Sequence, residues 1–272
     1  MRAQLLQGIR DLSETDEPLE LADVPEPDPG PGEIRIAVDV CGVCHTELDE
    51  IEGRTPPPLF PVIPGHQVIG RVDGRGEGAG RFTIGDRVGV AWIHSTCGRC
   101  RYCTSGRENL CSEFRATGRD ANGGYAEYMT VREDFAFEIP AGLDDVQVAP
   151  LLCAGAIGYR SLRLTGLTNG DPLGLTGFGA SGHLVLKMVR HVFPDSDVHV
   201  FARNPDEREF ARELGAVWAG STEDVAPELL GAVIDTTPAW KPVVEALSNL
   251  QPAGRLVINA IGKEAGDRDY LT

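Results

Sequence analysis

The segment "CGRCRYCTSGRENLC" constrains the fold most, because it places Cys97, Cys100, Cys103 and Cys111 within 15 residues. The spacing C-x2-C-x2-C-x7-C lets four thiolates converge on one tetrahedral zinc ion while the backbone loops around them. An iron–sulfur cluster or four free cysteines are the alternatives, and ligand type and spacing favour zinc. We therefore predict a zinc lobe over about residues 92–115, held by metal because it has little hydrophobic core. A closed four-sulfur site leaves no position for substrate, so the chemistry must lie elsewhere.

Composition narrows the class of protein. A length of 272 residues suggests two domains, and 42% hydrophobic with 24% charged residues is ordinary for a folded protein. The net charge of −16 disfavours nucleic acid and anionic membranes as partners and leaves small molecules. No apolar run approaches a membrane span and the opening residues lack a secretion signal, so we expect a cytoplasmic protein. With seven cysteines, an odd number, a disulfide framework is not expected.

A second metal site is possible among the unassigned cysteines and histidines. Cys41, Cys44 and Cys153 lie far apart in sequence together with His66 in "PGHQVIG", and catalytic zinc ions usually take three ligands from different elements. Each residue also has a simpler interpretation: "CGVC" as a redox pair, Cys153 as a small buried residue, and His66 as a structural hydrogen-bonding group.

A glycine-rich turn marks the second half of the chain. Gly177, Gly179 and Gly182 fit G-x-G-x-x-G between an apolar strand and a helix, which favours dinucleotide binding over a plain loop. The first glycine makes the tight turn, the second admits the pyrophosphate and the third lets helix and strand pack closely. The strand and helix patterns that follow predict a parallel α/β sheet.

The last predicted elements are a helix carrying Val243, Leu247 and Leu250 and a strand over Leu256–Ala260. We count five strands, whereas a complete dinucleotide fold has six. We therefore expect a sheet without its last strand, an unpaired apolar edge and a polar tail over residues 262–272. Weakened cofactor affinity and poor turnover would follow.

These features together resemble the zinc-dependent medium-chain alcohol dehydrogenases over essentially the whole chain. The motifs that carry the resemblance, besides the zinc lobe and the glycine turn, are "CGVCHTE" (41–47), "PGHQVIG" (64–70), "GDRVGVAW" (85–92), "GGYAEY" (123–128) and "APLLCAGAIGYRSL" (149–162). The resemblance implies an α/β plus β fold: a GroES-like β-barrel catalytic domain over residues 1–154 and an incomplete Rossmann domain over 155–272.

The resemblance implies hydride transfer between an alcohol carbon and the nicotinamide of NAD or NADP, with two zinc ions per chain. Cys44, His66 and Cys153 would ligate the catalytic zinc, which acts as a Lewis acid on the substrate oxygen, and Cys41 would be a spare thiol. Full-length relatives would be homo-oligomers.

The same resemblance assigns roles to the neighbouring residues. Thr46 would take the alcohol proton, unless it is only a helix cap, and His45 would lie near the cofactor phosphates. Glu47 would be a carboxylate that steadies the ligand histidine. Trp92 would form an aromatic wall of the substrate pocket, although a tryptophan after a strand is equally often core.

Four residues distinguish this chain from the family pattern. Gln67 follows the ligand histidine where glutamate is common, and Asp49 stands where some relatives have a histidine that finishes the proton relay. Ala202 and Arg203 end the second strand of the sheet in place of an acidic residue. NADP is favoured over NAD for two reasons. The absence of a carboxylate removes repulsion of the 2′-phosphate, and the guanidinium of Arg203 can pair with that phosphate.

Two other interpretations remain open. One is a zinc-free quinone or enone reductase of the same superfamily, against which the joint presence of Cys44, His66 and Cys153 argues. The other is a truncated, catalytically poor remnant that keeps metal and nucleotide.

Overall fold

The computed structural model describes residues 1–260 and Lys263. The chain divides into two compact units, Met1–Cys153 and Ala154–Thr272. This division lies one residue before the boundary that the sequence predicts. Among the described helices, none has the length and apolar composition that a membrane crossing requires.

The first unit is built on an antiparallel sheet of five strands. Its elements are β1 (Arg2–Leu5), β2 (Glu20–Asp23), β3 (Glu33–Gly42), α1 (His45–Ile51), β4 (Gln67–Arg75), β5 (Arg87–Val90), β6 (Ile93–Ser95), β7 (Arg115–Ala116), β8 (Tyr128–Arg132), β9 (Ala136–Glu138) and α2 (Asp145–Val148). The strands of the main sheet lie in the order β8-β3-β4-β5-β9. Two further pairs, β1 with β2 and β6 with β7, form small separate sheets.

The central strands β3 and β4 bring the later site together. Ile34 and Ile36 are buried on one face of β3, and two irregularities in its pairing with β4 bend the strand. The strands approach closely at Gly70, where a Cβ atom would lie 2.2 Å from the carbonyl oxygen of Ala37. Strand β3 leads to α1 within three residues, and β4 begins directly after His66.

The zinc lobe lies between β6 and β7. Every residue from 97 to 111 is described, and among them Cys111 alone is buried. The segment is made of short turns and two single-turn 3-10 helices, Cys103–Ser105 and Glu108–Leu110. It therefore has no apolar core of its own, as the cysteine pattern predicts.

The second unit holds a parallel sheet of five strands. Its elements are α3 (Ala154–Thr165), β10 (Leu173–Thr176), α4 (Ala180–Val192), β11 (Val198–Phe201), α5 (Pro205–Glu213), β12 (Trp218–Gly220), β13 (Leu230–Asp235), α6 (Lys241–Leu247) and β14 (Leu250–Ile258). The strands lie in the order β12-β11-β10-β13-β14. The central strands are apolar and buried, as expected for a parallel sheet with helices against it. The predicted succession of an antiparallel domain and a parallel Rossmann sheet is confirmed.

The last strand begins earlier than the sequence predicts. Helix α6 ends at Leu247, and Leu250, which the pattern assigned to that helix, is the first residue of β14. Leu250 pairs with Leu230 of β13, and an irregularity in the pairing then shifts the register. Ala253 has a φ of 66°, so the backbone turns within the strand. The predicted polar tail over residues 262–272 lies outside the described residues, apart from Lys263.

Candidate active site and zinc lobe

The first unit brings Cys44, His66 and Cys153 together. Cys44 is the N-cap of α1, His66 precedes β4, and Cys153 follows the 3-10 turn Ala149–Leu152. The Cys44 sulfur lies 3.6 Å from Nε2 of His66 and 4.0 Å from the Cys153 sulfur. Ligands of one tetrahedral zinc ion are separated by about 3.5 Å (S to N) and about 3.8 Å (S to S). The donor set therefore fits zinc, and three ligands leave one tetrahedral position open.

The three donors differ in protonation when no metal is bound. The hydrogen bond from the Cys153 thiol, together with His66, holds the pKa of Cys44 at about 3 despite its burial. Burial by itself would lower the pKa of His66, but Cys44 and Glu47 raise it to about 10. The bond to Cys44 and burial raise the pKa of Cys153. At neutral pH the metal-free set is thus a thiolate, an imidazolium and a thiol.

Glu47 contacts two of the three donors. Its Oε2 accepts a hydrogen bond of 2.8 Å from the backbone N–H of Cys44. Its Oε1 lies 2.6 Å from Nδ1 of His66, within ion-pair distance, and both side chains are almost fully buried. A carboxylate behind a ligand histidine fixes the ring orientation and raises its basicity.

The four cysteines of the lobe also converge. The sulfur of Cys97 lies 3.9 Å from that of Cys103 and 3.6 Å from that of Cys111, and Cys100 lies 3.5 Å from Cys103. These separations surround the value of about 3.8 Å expected for thiolates on one zinc ion. Cys41 belongs to neither set, and burial raises the pKa of its thiol to about 12.

The predicted proton-relay residues lie on α1 beside Cys44. The backbone N–H of Thr46 donates to the Cys44 sulfur at 3.3 Å. Nε2 of the exposed His45 lies 3.6 Å from Oδ1 of Asp49. The same oxygen accepts a hydrogen bond of 2.5 Å from Nε of Arg54. Sequence reasoning missed Arg54, because no pattern links an exposed arginine after a helix to a particular carboxylate.

The predicted pocket residue Trp92 is half-buried. Its ring packs 5.0 Å from the ring of Phe114, and the guanidinium carbon of Arg119 lies 5.6 Å from the Trp92 ring centre. Gln67 is buried at the start of β4 and packs against Gly42. A Cβ atom added to Gly42 would lie 2.6 Å from Oε1 of Gln67. Gln67 is uncharged, so Glu47 is the residue that brings a carboxylate to His66.

The glycine turn joins β10 to α4 in the second unit. Gly177 has a φ of 80°, and a Cβ atom at Gly182 would lie 2.7 Å from the carbonyl oxygen of Gly177. A Cβ atom at Gly179 would meet nothing within 4 Å. These three situations match a tight turn, a close helix contact and an open approach for a phosphate.

The end of β11 carries the residues predicted to select the cofactor. Ala202 is buried and donates its N–H to the carbonyl oxygen of Gly220, while Arg203 is exposed. Nη1 of Arg208 donates to the carbonyl oxygens of Ala202 and Arg203 at 2.8 and 2.9 Å. Arg208 thereby fixes the backbone of this turn, a role that the sequence did not reveal.

An antiparallel domain with two zinc-type donor sets, followed by a parallel sheet with a glycine-rich first turn, is the arrangement of a metal-dependent dehydrogenase. Residues 30–141 match the family described as alcohol dehydrogenase GroES-like domain. Together with the identity and coverage of the relatives described next, this match shows that the chain belongs to the zinc-dependent medium-chain alcohol dehydrogenase family, so the predicted family is confirmed.

Individual relatives agree in sequence and fold. The chain is 45% identical to the Probable alcohol dehydrogenase AdhA of Mycobacterium tuberculosis over 90% of this chain and 71% of that protein. It is 35% identical to an alcohol dehydrogenase of a Moraxella species, over 92% of this chain and 76% of that protein. The crystal structure of a Helicobacter pylori CAD complexed with NADP(H) superposes with a TM-score of 0.85 at 26% identity, over 100% of this chain and 82% of that one.

Proposed function

We propose that this protein is an alcohol dehydrogenase that interconverts an alcohol and an aldehyde or ketone by hydride transfer with a nicotinamide cofactor. The observation that carries the proposal is the convergence of Cys44, His66 and Cys153 at zinc-ligand separations. Cys44 and His66 lie within residues 30–141, which match the alcohol dehydrogenase family, and Cys153 lies beyond them at the end of the same compact unit. The same convergence favours this function over a zinc-free quinone or enone reductase.

Different residues would bind zinc, the cofactor and the substrate. Cys44, His66 and Cys153 would hold zinc, and Glu47 would orient the first two through its two oxygens. Zinc, when bound, supplies Lewis-acid polarisation of the substrate oxygen. Gly177, Gly179 and Gly182 would form the turn that receives the cofactor phosphates. Trp92 would give the substrate an apolar surface.

We propose that the alcohol proton leaves through Thr46 and then His45. Asp49 is held by Arg54 and lies close to His45, so it would orient the imidazole instead of carrying the proton itself. The side chain of His45 is 67% exposed, which gives the proton access to water. A neutral imidazole has one ring nitrogen that accepts a proton and one that donates, so it is suited to this step.

An activity screen over alcohols and aldehydes with NAD and NADP, together with the zinc content of the purified chain, tests the proposal. We expect oxidation of an alcohol that stops when zinc is removed by a chelator and returns when zinc is added. Turnover by the metal-free chain would instead support the zinc-free reductase.

We further propose a preference for NADP. The turn after β11 offers the exposed Arg203 and no carboxylate before Asp206. A guanidinium pairs with a 2′-phosphate in a bidentate manner, whereas a carboxylate at this place would repel it. The backbone fixed by Arg208 would keep Arg203 at the entrance of the turn.

Arg203→Ala tests this preference. We expect the KM for NADP to rise about 10- to 100-fold, the range for loss of a charge-assisted hydrogen bond, with little change for NAD. Arg132→Ala, an exposed arginine of the first unit, is the matched control. An unchanged ratio of the two Michaelis constants would refute the assignment.

A further inference from the structure

The buried ammonium group of Lys263 contacts three oxygens at the carboxyl end of β13. Its Nζ lies 2.6 Å from Oδ2 of Asp235, 2.7 Å from the carbonyl oxygen of Thr237 and 2.9 Å from that of Ala239. The side chains of Lys263 and Asp235 are 3% and 0% exposed. An ammonium group donates three hydrogen bonds, so all of its donors have partners here.

The choice of lysine is informative in this chain. Only three of its 25 lysine and arginine residues are lysines. A compact ammonium can donate to three oxygens that converge on one point, whereas a planar guanidinium is suited to flat, bidentate partners. The loop after β13 is therefore shaped around the ammonium of Lys263.

That loop packs directly on the glycine turn. Asp235 pairs in register with Thr176, the residue before Gly177. The hydroxyl of Thr236 donates to the carbonyl oxygen of Thr176 at 3.0 Å. A Cβ atom at Gly177 would lie 2.9 Å from Oγ1 of Thr236 and 3.0 Å from Cγ2 of Thr237. A displacement of residues 236–239 would therefore also displace the glycine turn at Gly177.

A buried ion pair is weak evidence for stability, because removing two charges from water offsets much of their attraction. Burial raises the pKa of Asp235, and Lys263 opposes that rise. The position of this ion pair at the carboxyl end of β13 suggests a role in ligand binding instead of stability. In open α/β sheets ligands bind outside the carboxyl ends of the strands where the strand order reverses, which is between β10 and β13 here.

We infer that Lys263 is a positioning residue for the dinucleotide: it holds residues 236–239 in the shape that forms one wall of the crevice at the glycine turn. The inference rests on the proposed dinucleotide binding. It deepens that proposal, because Lys263 would affect cofactor binding through residues 236–239 without contacting the cofactor itself.

Lys263→Met in the full chain tests the inference. We expect the dissociation constant for NADPH, measured by fluorescence titration well below the unfolding temperature, to rise about tenfold. Lys187→Met makes the same replacement at an exposed position of α4 and should leave the constant unchanged.

A second variant separates loop position from an uncompensated charge. Lys263→Met combined with Asp235→Asn removes both charges, so it should recover thermal stability that the single variant loses. Its NADPH binding should stay weak, because the loop still lacks its anchor. Recovery of wild-type affinity in the double variant, or wild-type affinity in the single variant, would overturn this inference alone. A wild-type chain that binds neither NADPH nor NADH would overturn the proposed function as well.

Discussion

Glu47 shows how one side chain can prepare a metal site before the metal arrives. Its two oxygens reach the backbone of Cys44 and the ring of His66, so the position of one ligand is tied to the orientation of another. The capping interaction that starts α1 is thus also part of the site. At this scale helix formation and ligand geometry depend on the same carboxylate.

The protonation of the three donors predicts a steep pH dependence of zinc binding. Cys44 is a thiolate above about pH 3 and His66 stays protonated up to about pH 10, while the pKa of Cys153 is raised above its ordinary value. Zinc needs two thiolates and a neutral imidazole, so binding releases about two protons. Affinity therefore rises with pH, by about 100-fold per pH unit in the neutral range.

Competition with a chelator at several pH values near neutrality measures this slope. The Cys153→Ser variant, in which the lobe is the remaining zinc site, supplies the contribution to subtract. A slope near zero would mean that the donors are already deprotonated and would contradict the assigned protonation states.

Sequence alone identifies the residues whose partners are local. The four cysteines of the lobe lie within one segment, so their spacing predicts their convergence. Residue type made Cys44, His66 and Cys153 candidates for a second metal site, but only the family resemblance selected these three as its ligands, because nothing in the spacing of three distant residues indicates contact. Arg208 was missed because it binds backbone carbonyl oxygens, which leave no mark in the sequence. Lys263 was missed because it binds two carbonyl oxygens and the carboxylate of Asp235, a contact between residues far apart in the chain.

At the scale of elements, the glycine turn separates packing from ligand access. The third glycine contacts the turn itself, whereas the second faces open space. Two single substitutions by alanine should therefore act differently, although both add only one methyl group.

Gly182→Ala should destabilise the second unit by about 1–3 kcal/mol, because its Cβ atom would meet the carbonyl oxygen of Gly177. Gly179→Ala should leave the unfolding temperature nearly unchanged, since its φ of −81° suits alanine, and should weaken NADPH binding. Thermal unfolding and fluorescence titration measure the two effects. Equal loss of stability in both variants would contradict the distinction.

The elements themselves were predictable where the apolar pattern is continuous. Strands β10, β11 and β13 follow from buried apolar runs, and the Asn204 cap with Pro205 marks the start of α5. The predicted boundary between α6 and β14 was wrong, because Leu250 fits the apolar face of a helix as well as it fits a strand. Its pairing with Leu230, a contact across 20 residues, decides the outcome, and a local pattern does not contain it.

At the scale of the molecule, both zinc-type sites lie in the unit Met1–Cys153 and differ in what depends on them. The lobe has no apolar core, whereas the site at Cys44 is surrounded by elements with their own packing. Metal loss should therefore unfold one region and only inactivate the other.

Cys103→Ser should mainly disorder the lobe, and Cys153→Ser should abolish turnover while leaving most of the fold intact. We expect about two zinc ions per wild-type chain and about one in Cys153→Ser, because each donor set holds one ion. Elemental analysis, circular dichroism and turnover measure these outcomes. One zinc or none in the wild-type chain, or equal destabilisation by both variants, would refute the division of roles.

The lobe also has a consequence for how such a chain can change over evolutionary time. Because its shape depends on four sulfur atoms and a few turns, the residues between the cysteines have few packing constraints to satisfy. Selection can preserve the ligands while the intervening surface diverges. The exposed residues between Cys97 and Cys111 therefore give this fold a place where new surface chemistry can arise without disturbing a core.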